Sequence, residues 1–202
     1  MTQYDDLVQR IHSCTLCSLS EKRTNAVPGE GAVDSDIMFI GEGPGFHEDR
    51  LGRPFVGPAG KLLDELLESI GLQRGDVYIA NMIKCRPPDN RDPLPDEIAS
   101  CKPYLDEQIS LISPKVIVLL GRYSFARFFP GEAISKARGR PRTLGGLTLY
   151  PIYHPAAALH NPGLRPILEQ DFQKLSSLVA SEPAPVPEPA ELEPEPEQLS
   201  LL

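Results

Sequence analysis

The sequence predicts an α/β layered fold with a mainly parallel sheet, and three observations carry that prediction. Four short apolar runs recur along the chain, rich in β-branched and aromatic residues and barely alternating. That is the pattern of strands covered on both faces. Helical periodicities separate the runs, and strands alternating with helices pair in parallel. Each run also ends on a polar residue or a glycine-rich turn, which gives the sheet one chemically active rim.

The first run is DIMFIG (36–41), and GEGPG begins at its end. The helical stretch PAGKLLDELLESIG (58–71) sets Leu62, Leu63, Leu66, Leu67 and Ile70 on one face, with Pro58 near its start and Gly71 at its end. VYIAN (77–81) is the second run and closes on Asn81. A second helix spans 94–113, where Pro103 predicts a kink or break. KVIVLLG (115–121) leads into GRYS. LTLYPIYH (147–154) ends on His154, and Pro151 within it predicts an edge position or a bulge. A third helix covers 165–180. In an open parallel sheet the carboxyl ends of the strands lie along one rim, where ligands bind. Topology alone therefore brings the GEGPG loop, Asn81 and His154 together.

At 202 residues the chain holds one good core and a tail. No run approaches the roughly 18 apolar residues of a membrane span. The N-terminus lacks the apolar centre of a signal peptide, so a cytoplasmic chain without membrane contact is expected. The net charge of −8 is concentrated at one end: residues 181–202 carry six Glu, six Pro and no Lys or Arg. The remainder sets 20 basic residues against 22 acidic ones. Residues 1–180 thus form the folded domain, and 181–202 an extended, charged tether with too little apolar surface for a core. The near-neutral body leaves nucleic acid open as a partner, because phosphate contact is local. DRLGR (49–53) and KARGRPR (136–142), the latter with Arg138 and Arg140, are candidate basic patches.

The glycine-rich loop departs from a dinucleotide-binding fingerprint. G-x-G-x-x-G requires a third glycine where Phe46 stands. The four cysteines begin with a C-x-x-C pair, Cys14 and Cys17, and continue with Cys85 and Cys101. Structural disulfides do not suit a cytoplasmic chain. The spacing accommodates an iron–sulfur cluster, zinc or unliganded buried thiols.

Several motifs in fixed order resemble one family: GEGPG followed by GRPFVGPAGKLLD, then NMIKCRPP, then YHPAAALHNP, with all four cysteines in place. Together they cover roughly residues 1–180 and resemble the family 4, iron–sulfur uracil-DNA glycosylases. The resemblance implies a three-layer α/β/α sandwich around a central four-stranded, mainly parallel sheet. It also implies a [4Fe-4S] cluster on Cys14, Cys17, Cys85 and Cys101. The implied activity is hydrolysis of the N-glycosidic bond of uracil in single- or double-stranded DNA, leaving an abasic site.

The chemistry fits those residue types. A base inside the stack is out of reach and must be flipped into a pocket, at a cost of about a few kcal/mol. By resemblance Phe55 is the stacking platform and Asn81 the reader. A fixed carboxamide donates to the uracil 4-carbonyl and accepts from the ring imide N–H. Cytosine offers an amine and a bare nitrogen there, so both bonds fail. His154 is the electrophile, aimed at the 2-carbonyl of the departing base; the sequence leaves its charge open. The glycines at 41, 43 and 45 let the backbone turn tightly and approach a flat base. The resemblance puts Glu42 and Gly43 beside the sugar and the attacking water, with Glu42 as helper. It puts Glu48 near the base's 5-position, crowding a thymine methyl. Leu159 is an apolar wedge for the vacated stack. His160 stands where the family carries Arg, which removes one phosphate contact. Residues 46–55 lack the inserted basic loop of DNA-crosslinking relatives, which favours turnover.

The chain ends QLSLL. This resembles the peptide by which bacterial repair proteins bind the β sliding clamp, with Gln198, Leu199, Leu201 and Leu202 as contacts. The tether before it reaches on the order of 50 Å if polyproline-like. A monomer is expected. Two alternatives stand beside excision of uracil. One is a clamp-recruited iron–sulfur DNA-binding module with little catalysis, and the other a glycosylase for another deaminated base such as hypoxanthine.

Overall fold

The computed structural model describes residues 2–180. The tether, including Gln198, Leu199, Leu201 and Leu202, lies outside the described residues. In chain order the elements are α1 (Gln3–His12), β1 (Glu30–Gly31), β2 (Ile37–Gly41), α2 (Phe46–Leu51), α3 (Pro58–Glu68) and β3 (Tyr78–Asn81). They continue with α4 (Pro95–Ile112), β4 (Val116–Leu120), α5 (Arg122–Phe128), α6 (Ile134–Ala137), β5 (Arg142–Leu144), β6 (Leu147–Ile152), α7 (Pro155–His160) and α8 (Arg165–Ala180).

The strands form one sheet in the order β1-β3-β2-β4-β6-β5. The four central strands are parallel, with Phe39 opposite Ile79 and Val118, and Val118 opposite Tyr150. These are the four apolar runs of the sequence. The sheet nevertheless has six strands, because β1 and β5 add antiparallel edges of two and three residues. Glu-Gly and Arg-Thr-Leu are too short and too polar to register as apolar runs.

Alternate side chains of the central strands feed two cores. Ile37, Phe39, Val118 and Ile152 pack against the leucine face of α3 and against Leu168, Phe172 and Leu175 of α8. Met38, Ile40, Ile117 and Leu119 pack against Leu105 and Ile112 of α4 and Phe125 of α5. Burial on both faces explains the near-continuous hydrophobicity of the strands. Each such side chain contributes roughly 1.5–3 kcal/mol.

Two prolines behave according to local pairing. Beside Pro151 the antiparallel partner β5 has already ended, and the Pro151 carbonyl accepts from the Gly139 N–H at 2.8 Å instead. Its missing N–H thus removes no ladder bond. Of the kink or break expected at Pro103, the break does not occur, since α4 runs as one helix through it. Buried Cys101 and Leu105 flank the proline and hold the turn in place.

Helix α1 was not anticipated. Its start is fixed by a reciprocal cap: the Asp5 N–H donates to the Thr2 hydroxyl and the Thr2 N–H to the Asp5 carboxylate. Leu7 and Ile11 then bury against Tyr104 and Leu111 of α4. No helix among the described residues is long and apolar enough to cross a membrane.

Candidate functional site

The rim begins where β2 and β3 end side by side, with Gly41 opposite Asn81. A Cβ on residue 41 would lie 2.4 Å from Asn81 Oδ1 and 2.7 Å from Phe55 Cζ. Glycine is needed here for close approach. None of Gly41, Gly43 and Gly45 has a left-handed φ, so it is space rather than backbone conformation that excludes a side chain here. At 43 a Cβ would meet Ile83 Cγ1 at 2.7 Å, and at 45 it would meet Glu48 Oε2 at 2.8 Å.

The Phe55 ring stacks on the His154 imidazole, with centroids 5.4 Å apart and planes 24° from parallel. Asn81, Phe55 and His154, remote in sequence, therefore share one locality. Asn81 is 2% exposed, and its Oδ1 has no hydrogen-bond partner among the described residues. A buried acceptor left open in this way requires an explanation, and a ligand N–H supplies one.

Phe55 has φ 51°, a left-handed conformation that costs an aromatic residue on the order of 1–3 kcal/mol. Arg74, which the sequence did not single out, holds it there. Its guanidinium donates to the carbonyls of Pro54 at 2.6 Å and Phe55 at 3.0 Å. It also pairs with Asp64 at 2.9 Å and with Glu30. Charge-assisted bonds of this kind are worth about 1.5–3 kcal/mol each. Replacing Arg74 with Ala is expected to destabilise the domain by roughly 2–4 kcal/mol in urea titration. Arg74→Lys should recover little, because an ammonium cannot span the two carbonyls and two carboxylates that the fork reaches.

His154 caps α7, and its Nδ1 accepts the Ala156 N–H at 3.1 Å. The neutral ring must then carry its proton on Nε2. Burial pushes the imidazolium down to about 4, against an opposing pull from the Glu48 carboxylate. The ring is neutral at pH 7, and Nε2–H is free to donate.

Glu48 is occupied with the loop. It accepts N–H bonds from Val56 at 3.0 Å, Gly57 at 2.9 Å and Gly45 at 3.1 Å. These bonds tie the GEGPG turn to the segment carrying Phe55. Glu42 is half-buried beside Gly43. Burial raises its carboxyl to about 7, with Asp92 adding to the effect and Arg122 opposing it. A carboxyl poised there can accept a proton near neutrality.

Leu159, 47% exposed, projects from α7 five residues beyond His154. Arg138 is engaged by Asp171, with both carboxylate oxygens at 2.7 Å, and lies over the Tyr153 ring. Arg142 pairs with Glu132 and Arg53 with Glu30. Arg140 is exposed. The two basic runs of the sequence are thus partly neutralised by the fold.

The four cysteines are unbridged and line one small cavity with Ile11, Arg23 and Tyr104. Among the described residues no three His, Cys, Asp or Glu side chains converge on a single-ion site. Four thiols around one cavity are a donor set that suits an iron–sulfur cluster as well as a tetrahedral ion. The surroundings suit thiolates: Arg23 donates to Cys85 Sγ at 3.0 Å and the Lys84 N–H to Cys101 Sγ at 3.4 Å. Burial pushes the Cys101 thiol up to about 11, a cost that metal ligation offsets.

A buried strut joins this cavity to the rim. The Lys84 ammonium donates to the Asn81 carbonyl at 2.8 Å and to Gln108 Oε1 at 2.6 Å. Gln108 in turn donates to the Pro28 carbonyl and the Tyr78 hydroxyl. Sequence reasoning missed Lys84 and Gln108. The available signal was a lone charge inside the apolar NMIKC segment.

A stacked phenyl ring, a buried carboxamide with an open acceptor and an imidazole thus meet at the carboxyl rim of an α/β sheet, the place where the class of open α/β proteins binds its ligands. The comparisons give the class its particular form. The uracil DNA glycosylase superfamily model matches residues 28–176. A type-4 uracil-DNA glycosylase of Sulfurisphaera tokodaii is 50% identical, covering 88% of this chain and 86% of that protein. Those of Saccharolobus solfataricus (48%, 91% and 89%) and Thermotoga maritima (48%, 86% and 93%) are similarly close. The chain belongs to the uracil DNA glycosylase superfamily, within its type-4 group.

Proposed function

We propose that this chain excises uracil from DNA by hydrolysing the N-glycosidic bond. The observation that carries the proposal is the open Asn81 Oδ1, buried beside the Phe55–His154 stack. It is the acceptor that the uracil N3–H requires, while the amide NH₂ faces the 4-carbonyl. Phe55 supports the ring face. As the bond breaks, the electron pair passes to the base, and the His154 Nε2–H donates to the 2-carbonyl where charge develops. Water adds to the sugar carbon and yields its proton, which Glu42 accepts. The uracil anion takes up a proton as Glu42 releases its own, and the products are free uracil and an abasic sugar. Gly43 leaves space beside the reacting sugar. Glu48 holds the loop that frames the base's 5-position, and through that frame excludes a thymine methyl. Leu159 enters the vacated stack, and Arg140 contacts phosphate. Arg138 is better explained as the partner of Asp171.

Cys14, Cys17, Cys85 and Cys101 would hold a [4Fe-4S] cluster. When bound, it supplies a structural crosslink between the N-terminal segment and the region after β3. Replacing Cys101 with Ala should bring iron and acid-labile sulfide close to zero and lower the melting temperature; unchanged iron content would remove the assignment. Clamp recruitment through residues 198–202 is supported by the tail sequence alone. The principal experiment is incubation of the purified chain with uracil-containing single- and double-stranded oligonucleotides, followed by alkali. Strand cleavage at the uracil position is expected, and no cleavage of either substrate overturns the proposal.

A further inference from the structure

Phe46 is the first residue of α2, immediately after the GEGPG loop, and 47% of it is exposed. Two guanidiniums lie against its ring, Arg50 with Cζ 5.6 Å from the centroid and Arg86 at 5.2 Å. His47 meets the ring edge-on at 5.5 Å. Arg50 shares the helix face of Phe46 at the i+4 position. Arg86 follows Cys85, five residues beyond Asn81, and donates its Nε to Asn90 at 2.7 Å. Among the described residues no carboxylate forms a salt bridge with either arginine. Arg53, Arg74, Arg91, Arg122 and Arg138, by contrast, each have an acidic partner.

We infer that Phe46, with Arg50 and Arg86, is a stacking platform for an unpaired base of the DNA strand beside the extruded uracil. An exposed aromatic ring flanked by unpaired guanidiniums combines the two attractions that bind single-stranded nucleic acid, base stacking and phosphate contact. Its position is continuous with the uracil site. Glu48 of the same helix bonds the amides of Val56 and Gly57, next to Phe55. The helix has no core function for this ring, because its buried member is Asp49, which accepts the Thr24 N–H. The platform lends affinity to the unstacked strand and leaves bond cleavage to the pocket. This inference rests on the uracil-excision proposal.

The chain contains no tryptophan, so Phe46→Trp installs a single fluorophore at the platform. Its emission should be quenched on titration with single-stranded oligonucleotide, with or without uracil. Phe46→Ala should raise KM for short single-stranded substrates roughly tenfold, the order of one lost base–aromatic stack, with kcat within about twofold. Phe46→Tyr should restore KM. Arg50→Gln and Arg86→Gln should each flatten the dependence of log KM on log salt. Unquenched emission at saturating DNA, in a Phe46→Trp enzyme that still releases uracil, overturns the platform. So does a Phe46→Ala enzyme with lowered kcat and unchanged KM, which would mean that the ring only orders the loop. Quenching in a chain that releases no uracil would instead leave the platform standing and remove the excision proposal.

Discussion

Replacing His154 with Ala is expected to lower the single-turnover rate of uracil release by about 10²–10³-fold, the usual effect of losing one donor to a developing oxyanion. The alanine also removes the cap of α7 and the ring against Phe55. His154→Asn separates these effects, because asparagine caps a helix well but sends no donor to the position of Nε2. Equal losses in both variants assign the effect to the donor; a near-wild-type rate in His154→Asn would assign it to the cap. The pH profile is a second check. If the imidazolium were the active form with an ordinary pKa, the rate would fall as pH rises through about 6.5. With its pKa depressed to about 4 the ring is already neutral, so the rate should not fall between pH 6 and 8. Instead it should rise with a midpoint near 7, as the elevated Glu42 carboxyl ionises and becomes a proton acceptor. Glu42→Gln should flatten that limb at a lower rate. A wild-type rate that declines through pH 6–8 would remove the neutral-electrophile assignment.

The four central strands, α3 and α8 were legible because each carries a dense, correctly periodic apolar signal along a few consecutive residues. The edges were not, since strands of two or three polar residues owe their existence to a neighbour's open hydrogen bonds. The continuity of α4 past Pro103 was not legible because the cost of Pro103 is local, whereas Cys101 and Leu105, which offset it, act through tertiary packing. At the site, Asn81 and His154 could be found because strand ends in a parallel sheet share one rim. Arg74, Lys84 and Gln108 could not. Each acts on the backbone of another residue, and nothing in a run such as QRGD or DEQIS indicates which carbonyl a side chain will reach. Arg138 shows the reverse error: a basic residue in a basic run, neutralised by Asp171 33 positions later.

Asn81→Ala should reduce kcat/KM for uracil release by on the order of 10²–10⁴, with little change in urea midpoint. The magnitude follows from two bonds lost together. Truncation leaves the uracil N3–H and 4-carbonyl desolvated and unpaired, at about 1–3 kcal/mol each. Stability should hardly change, because Oδ1 has no hydrogen-bond partner among the described residues. Its removal relieves a buried, unsatisfied acceptor, and the main-chain bond from Lys84 to the Asn81 carbonyl survives the substitution. That pairing of outcomes separates a reader from a structural asparagine, which would lose stability first and activity as a consequence. Discrimination should fall as well. In the proposed pocket the wild-type amide presents a donor to cytosine's amine and an acceptor to its bare ring nitrogen, so both bonds fail. An alanine presents neither, so the ratio of uracil to cytosine release should shrink by a similar factor, chiefly through loss of the uracil rate. Parallel single-turnover assays on uracil- and cytosine-containing oligonucleotides, with a urea titration of the same preparations, would decide the matter. Intact excision in Asn81→Ala, or a large drop in its urea midpoint, would return this residue to an ordinary strand end.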